Sequence, residues 1–138
     1  MTKVKKIVVS TTAKKEQKAL NFGDSTSSID QLKTIVQRFV EDRNWASYHT
    51  PKNLAISISL EASELLEHFQ WTHSDPKEFK SSKLREISDE MADVLAYLLS
   101  LANILNVDLS KSLKRKMEIN KKKYPIDKFN GKWVKVRE

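Results

Sequence analysis

The sequence predicts an all-α protein of four helices and two tails. Helix breakers are scarce, with two Gly and three Pro in 138 residues, which favours long helices over a many-turned β fold. Apolar residues recur at i, i+3 and i+4 through several long stretches. Most of these stretches open on a residue able to cap a helix. The length suits one domain with a real core.

Taken in order, residues 1–24 are polar, basic and weakly patterned. "KIVVS" has strand character but no evident partner, so the segment reads as a mobile extension. "SSIDQL" opens the first helix, with Ser28 as N-cap and Gln31 completing a capping box. Leu32, Ile35, Val36, Phe39 and Val40 continue it at helical spacing to about Arg43. The chain turns in "NWASYHTPKN". Thr50 then caps and Pro51 begins a second helix, which runs to about Gln70. After the polar loop "THSDPKEFKS", Ser82 is placed to cap a third helix ending near Leu105. "NVDLS" breaks it, and Asp108 caps a fourth reaching about Lys122. The tail "YPIDKFNGKWVKVRE" reads as extended or loose. One domain over 25–128 is therefore expected, with basic flanks at 1–24 and 129–138.

The absence of Cys excludes disulfides and thiolate metal sites. The longest apolar run, Val94 to Leu105, is far short of the roughly 20 residues a membrane span needs. No apolar signal region follows the basic N-terminus. The expected location is cytoplasmic, with no membrane contact. The net charge of +7 divides into +4 over residues 1–24, −5 over 25–110 and +8 over 111–138. Such a division suits nucleic-acid binding, or an anionic small substrate held against a metal-loaded acidic centre.

The acidic middle is the informative part. In "LEASELLEHFQW", Glu61 and Glu64 lie about 60° apart on one helix face. In "DEMADVLAYLL", Glu90 and Asp93 repeat that spacing. If the second and third helices form a hairpin, both pairs sit at nearly the same height from its turn. Four bare carboxylates so placed would repel and raise one another's pKa values, so a cation belongs between them. An all-oxygen site suits Mg²⁺ or Mn²⁺. A di-iron bundle would want Glu-x-x-His, which neither pair supplies. His68 lies near the same face, and Glu67, Glu86 and Asp89 read as surface or supporting groups.

"E-A-S-E" and "E-M-A-D" resemble the E-x-x-E … E-x-x-D pattern of the all-α nucleoside triphosphate pyrophosphohydrolases, the MazG-like superfamily. "DRNWASYHTPKNL", "ELLEHFQW" and "KMEINKKKYP" are similar to its dCTP pyrophosphatase branch. The likeness covers about Ile29 to Lys128. It implies a four-helix antiparallel bundle that hydrolyses a nucleoside triphosphate to the monophosphate and pyrophosphate. By this resemblance Glu61, Glu64, Glu90 and Asp93 hold Mg²⁺, and Glu64, with Glu61, serves the reaction itself. Lys116, Asn120 and Lys123, on one face of the last helix, would hold the triphosphate, with Tyr124 nearby. Trp45 and Trp71 would recognise the base, with His49, Lys52, Asn53 and Tyr97 around them. Val36 departs from the pattern, since the vertebrate dCTP branch is expected to carry His there. The family assembles as dimers and often tetramers, so a homodimer or homotetramer is implied. The leading expectation is a Mg²⁺-dependent house-cleaning enzyme for dCTP or modified dCTP. The alternatives are dUTP or a broad dNTP set, and a helical nucleic-acid-binding or interaction module. A nucleic-acid binder gains nothing from four facing carboxylates, which sets that reading behind.

Overall fold

The computed structural model describes residues 22–71, 75, 77 and 79–131. They form an all-α structure of five helices: α1 (Ile29–Glu41), α2 (Pro51–Glu67), α3 (Ser81–Ile104), α4 (Leu109–Lys123) and α5 (Ile126–Phe129). The possible strand in "KIVVS" and most of both tails lie outside the described residues. The chain divides into two compact units, Met1–Leu32 and Lys33–Glu138.

In the first unit, the Gly23 carbonyl accepts from the amides of Thr26 and Ser27 at 2.9 and 2.8 Å. The capping box follows. Ser28 Oγ accepts from the Gln31 amide at 3.2 Å, and Gln31 Oε1 accepts from the Ser28 amide at 2.8 Å. Two donors with no partner inside the helix are thereby satisfied.

In the second unit, α2 and α3 pack as an antiparallel hairpin. Thr50 caps α2 through the Asn53 amide, and Pro51 takes the first helical position. Asp108 caps α4 by accepting from the Lys111 amide at 2.9 Å. The start of α3 differs from the expected Ser82 cap. The helix begins at Ser81, and its N-cap is Lys80, which makes no capping side-chain bond. The tail also differs from its expected loose form over 126–129, where α5 packs Phe129 edge-on against Tyr124. Between α3 and α4 the chain turns by 103°, so α4 leaves the hairpin at a steep angle.

Two helix ends share one device. After α1, Trp45 N–H donates to the Val40 carbonyl and Asn44 N–H to that of Glu41. After α3, Val107 N–H donates to Ala102 and Asn106 N–H to Asn103. Both are Schellman motifs, which need a left-handed residue at the turn. Asn44 and Asn106 supply it with φ of 54° and 51°. A side-chain tie closes this end of the unit: Lys33 Nζ donates to the Val107 carbonyl, and Asn103 Nδ2 donates to that of Lys33. Among the described residues the buried apolar side chains are few: Val40, Leu54, Ile87, Leu99 and Ala102. No single helix among the described residues is long and apolar enough to cross a membrane.

Candidate active site

The hairpin sets the acidic pairs of α2 and α3 opposite one another. Ligand oxygens of Glu61, Glu64 and Glu90 all lie within 4.8 Å of each other. Glu61 and Glu90 are half-buried, whereas Glu64 and Asp93 are exposed. The Glu61 carboxyl titrates above its ordinary value. Burial is the main cause, and the negative charges of Glu64, Asp93 and Glu90 add to it. None of the ion pairs among the described residues involves these four carboxylates. A hard cation binds oxygens at about 2.0–2.6 Å, so ligands on opposite sides of it lie about 4–5 Å apart. The spread of these oxygens and the all-oxygen donor set both fit such an ion.

Beside the acids lies an open cavity of about 470 Å³. Its apolar wall comes from Ile35, Val36, Phe39 and Val40 of α1, with Trp45 from the turn and Ala96 from α3. Its polar groups are His49, Asp93, Tyr97 and Ser100. Asp93 thus faces the cavity and also acts electrostatically on Glu61, which joins the two halves of the site. The Schellman turn delivers Trp45 to the wall beside Val40. Trp45 is braced edge-on by Phe39 at 5.9 Å, and Arg43 stacks on Phe39 3.7 Å from the ring centre. The His49 ring is fixed as well, with Nδ1 2.9 Å from the Trp45 carbonyl oxygen. A carbonyl only accepts, so this nitrogen carries the proton and donates.

Of the residues implicated by sequence, Trp45, His49, Tyr97 and Asp93 meet at the cavity. Lys52, Asn53, Trp71, Lys116, Asn120, Lys123 and Tyr124 do not line it. Asn53 is engaged locally, donating its side-chain amide to the Tyr48 carbonyl at 2.9 Å. Trp71 is 87% exposed. Tyr124 ends α4 and donates its amide to the Asn120 carbonyl. His68 contacts Lys83 across the base of the hairpin, away from a ligand role. Ile35, Phe39, Val40, Ala96 and Ser100 of the lining were not implicated by sequence as site residues. The stripe of α1 reads there as core, and only the half exposure of Ile35 and Phe39 reveals an unfilled face.

Helix-borne carboxylates converging beside an apolar cavity define an all-α protein able to hold a hard cation next to a partly apolar ligand. The chain belongs to the MazG-like family, whose model matches residues 56–136 and so spans all four acids. It is 31% identical over 114 residues to mouse (Mus musculus) dCTP pyrophosphatase 1, covering 80% of this chain and 67% of that protein. The human (Homo sapiens) dCTP pyrophosphatase 1 is 32% identical over 101 residues, covering 71% of this chain and 59% of that protein. Among solved structures, a pyrophosphatase from Archaeoglobus fulgidus aligns with a TM-score of 0.62 and 48% identity, covering 70% of this chain and 92% of that one.

Proposed function

We propose that this chain cleaves a deoxynucleoside triphosphate, dCTP or a modified dCTP first, to the monophosphate and pyrophosphate. The coarser statement, a hydrolase of the nucleoside triphosphate diphosphatase class, follows from the family and its named relatives. The observation that carries the reading is the position of Asp93, shared by the carboxylate group and the cavity wall. A base seated in the cavity directs its phosphates toward the acids.

Glu61, Glu64, Glu90 and Asp93 would hold a divalent cation, Mg²⁺ or Mn²⁺. When bound, it supplies Lewis-acid polarisation of phosphate oxygens and neutralises their charge. Glu64, the solvent-facing member of the close trio, takes the proton of the attacking water. The water oxygen bonds to the α-phosphorus, and the bond to the oxygen bridging to the β-phosphate breaks. Lys116, Asn120 and Lys123, four and three residues apart along α4, are assigned to the triphosphate, with Tyr124 beside them.

The same reading includes a homodimer or homotetramer. Leu84, Met91, Leu95 and Leu98 follow one stripe of α3, and all are exposed in the single chain. With few side chains fully buried, such a stripe calls for a cover. A second copy would also bring in Trp71 and α4, which stand away from the cavity. The domain is assigned to 25–128, and the working place to the cytoplasmic nucleotide pool.

The test is pyrophosphate release from a panel of dNTPs and NTPs, with Mg²⁺ and with EDTA. Cation-dependent release matched by monophosphate is expected, with dCTP ranked first. No release from any nucleotide would overturn the reading.

A further inference from the structure

We propose that the outer face of α4 binds the phosphate backbone of duplex nucleic acid, a property held beside the hydrolysis proposed above and independent of it. Exposure tells the two sides of the helix apart. Its half-buried residues are Leu109, Ser112, Asn120 and Lys123. At about 100° per residue these four fall within about 80° of one another and mark the inner side. On the far side, a sector about 120° wide holds Lys111, Lys114, Arg115, Lys121 and Lys122, with Glu118 among them. All six are exposed, and none of the apolar residues of α4 lies in that sector. From Lys111 to Lys122 the cations run along about 16–17 Å of helix. Their charge is largely unspent. Lys111 pairs with Asp108 at 3.1 Å and Lys121 with Glu118 at 2.7 Å, both exposed pairs of a kind worth little in water. Among the described residues, Lys114, Arg115 and Lys122 have no ion-pair partner.

The charge calls for a polyanion, since residues 111–138 carry +8. The make-up of the sector says which kind. A membrane-surface helix turns its apolar face to lipid, and on α4 that is the side bearing Lys116 and Asn120, the residues assigned to the triphosphate. Single strands are held on aromatic rings that stack the bases, and the sector has no ring. A row of cations without base contacts suits a duplex, whose backbone presents one negative charge per about 1.7 Å of axis. Lys116, Asn120 and Lys123 lie outside the sector, so the backbone contact and the triphosphate do not compete for the same side chains.

The test titrates the full chain onto a fluorescently labelled DNA duplex, an RNA duplex of the same sequence, the matching single strand and vesicles containing phosphatidylserine. Both duplexes should bind, because backbone charge carries the contact. Affinity should fall roughly 10–50-fold between about 50 and 200 mM salt, the response to two or three neutralised phosphates. Lys114→Gln, Arg115→Gln and Lys122→Gln combined should weaken duplex binding by about tenfold or more at low salt and flatten the salt dependence. The far-UV circular dichroism spectrum should not change, since Gln suits a helix. Arg38→Gln, Lys77→Gln and Lys80→Gln combined remove the same charge from exposed positions elsewhere, and this control should bind as the wild type does. No binding to either duplex, no loss in the α4 variant, an equal loss in the control, or a preference for the single strand or the vesicles would each overturn the proposal. So would an assembly that the α4 variant loses in sedimentation runs without nucleic acid, since the face would then belong to a second copy.

Discussion

Glu61 is half-buried among three other carboxylates, and its carboxyl is held above its ordinary pKa by burial first and like charge second. The sign of the linked stability follows. A folded-state pKa above the unfolded value means that the folded chain binds the proton more tightly. Stability from this group is full below the unfolded pKa and declines as pH rises through the folded one. At neutral pH the metal-free chain therefore carries an unrelieved charge. Glu61→Gln should raise the Tm of the metal-free protein at pH 7, and by less near pH 4. The same variant should lose most of the Tm increase that Mg²⁺ gives the wild type. Melting curves with Mg²⁺ and with EDTA at the two pH values check both statements. In the proposed reaction Glu64 bears on turnover. Glu64→Gln should lower kcat by about 10²–10⁴-fold, the range for loss of a proton acceptor, with an unchanged far-UV circular dichroism spectrum. Retained activity would remove Glu64 from the reaction.

At the scale of elements, what the sequence foretold was local. The Ser28–Gln31 box, the Thr50–Pro51 start and the Asp108 cap all form as read, because each bond lies within four residues. The start of α3 was misjudged because two serines stand in a row and neither serves: Lys80 is the N-cap. The Schellman turns went unread, since the usual left-handed residue is Gly and Asn is its less common substitute. Those turns matter for the site. Asn44 sets the chain direction that brings Trp45 to the cavity. Asn44→Ala should cost about 1–2 kcal/mol in urea unfolding, the penalty of a Cβ in the left-handed region without Asn's local bonds. Asn44→Gly should cost much less. The convergence of the acids was foreseeable, because helical rise and a hairpin together fix their heights. The cavity was not. An apolar stripe on α1 has the same pattern whether it meets a core or faces a ligand, and only the packing of α3 decides between them.

At the scale of the whole molecule, the described residues bury little apolar surface. Five apolar side chains are buried among the described residues, while Leu84, Met91, Leu95 and Leu98 line an open stripe along α3. Each large apolar side chain left in water forgoes about 1.5–3 kcal/mol of burial, so the proposed pairing of these stripes would add to the stability of the hairpin. Removing residues 1–22 should leave both the assembly and kcat/KM unchanged, because no residue assigned to the site lies there. A truncation without activity would assign the extension to the site or to the oligomer. Met91→Glu combined with Leu95→Glu should act differently. Two charges in the stripe should shift the protein to a monomer in sedimentation-velocity runs. The Tm should fall with it, since burial and association are then one equilibrium. Met91 and Leu95 flank the acids Glu90 and Asp93 along the same helix, so loss of the cover should also loosen the cation site. Mg²⁺ would then raise the Tm less than in the wild type. A double variant that stays assembled would show that another face of the hairpin carries the contact.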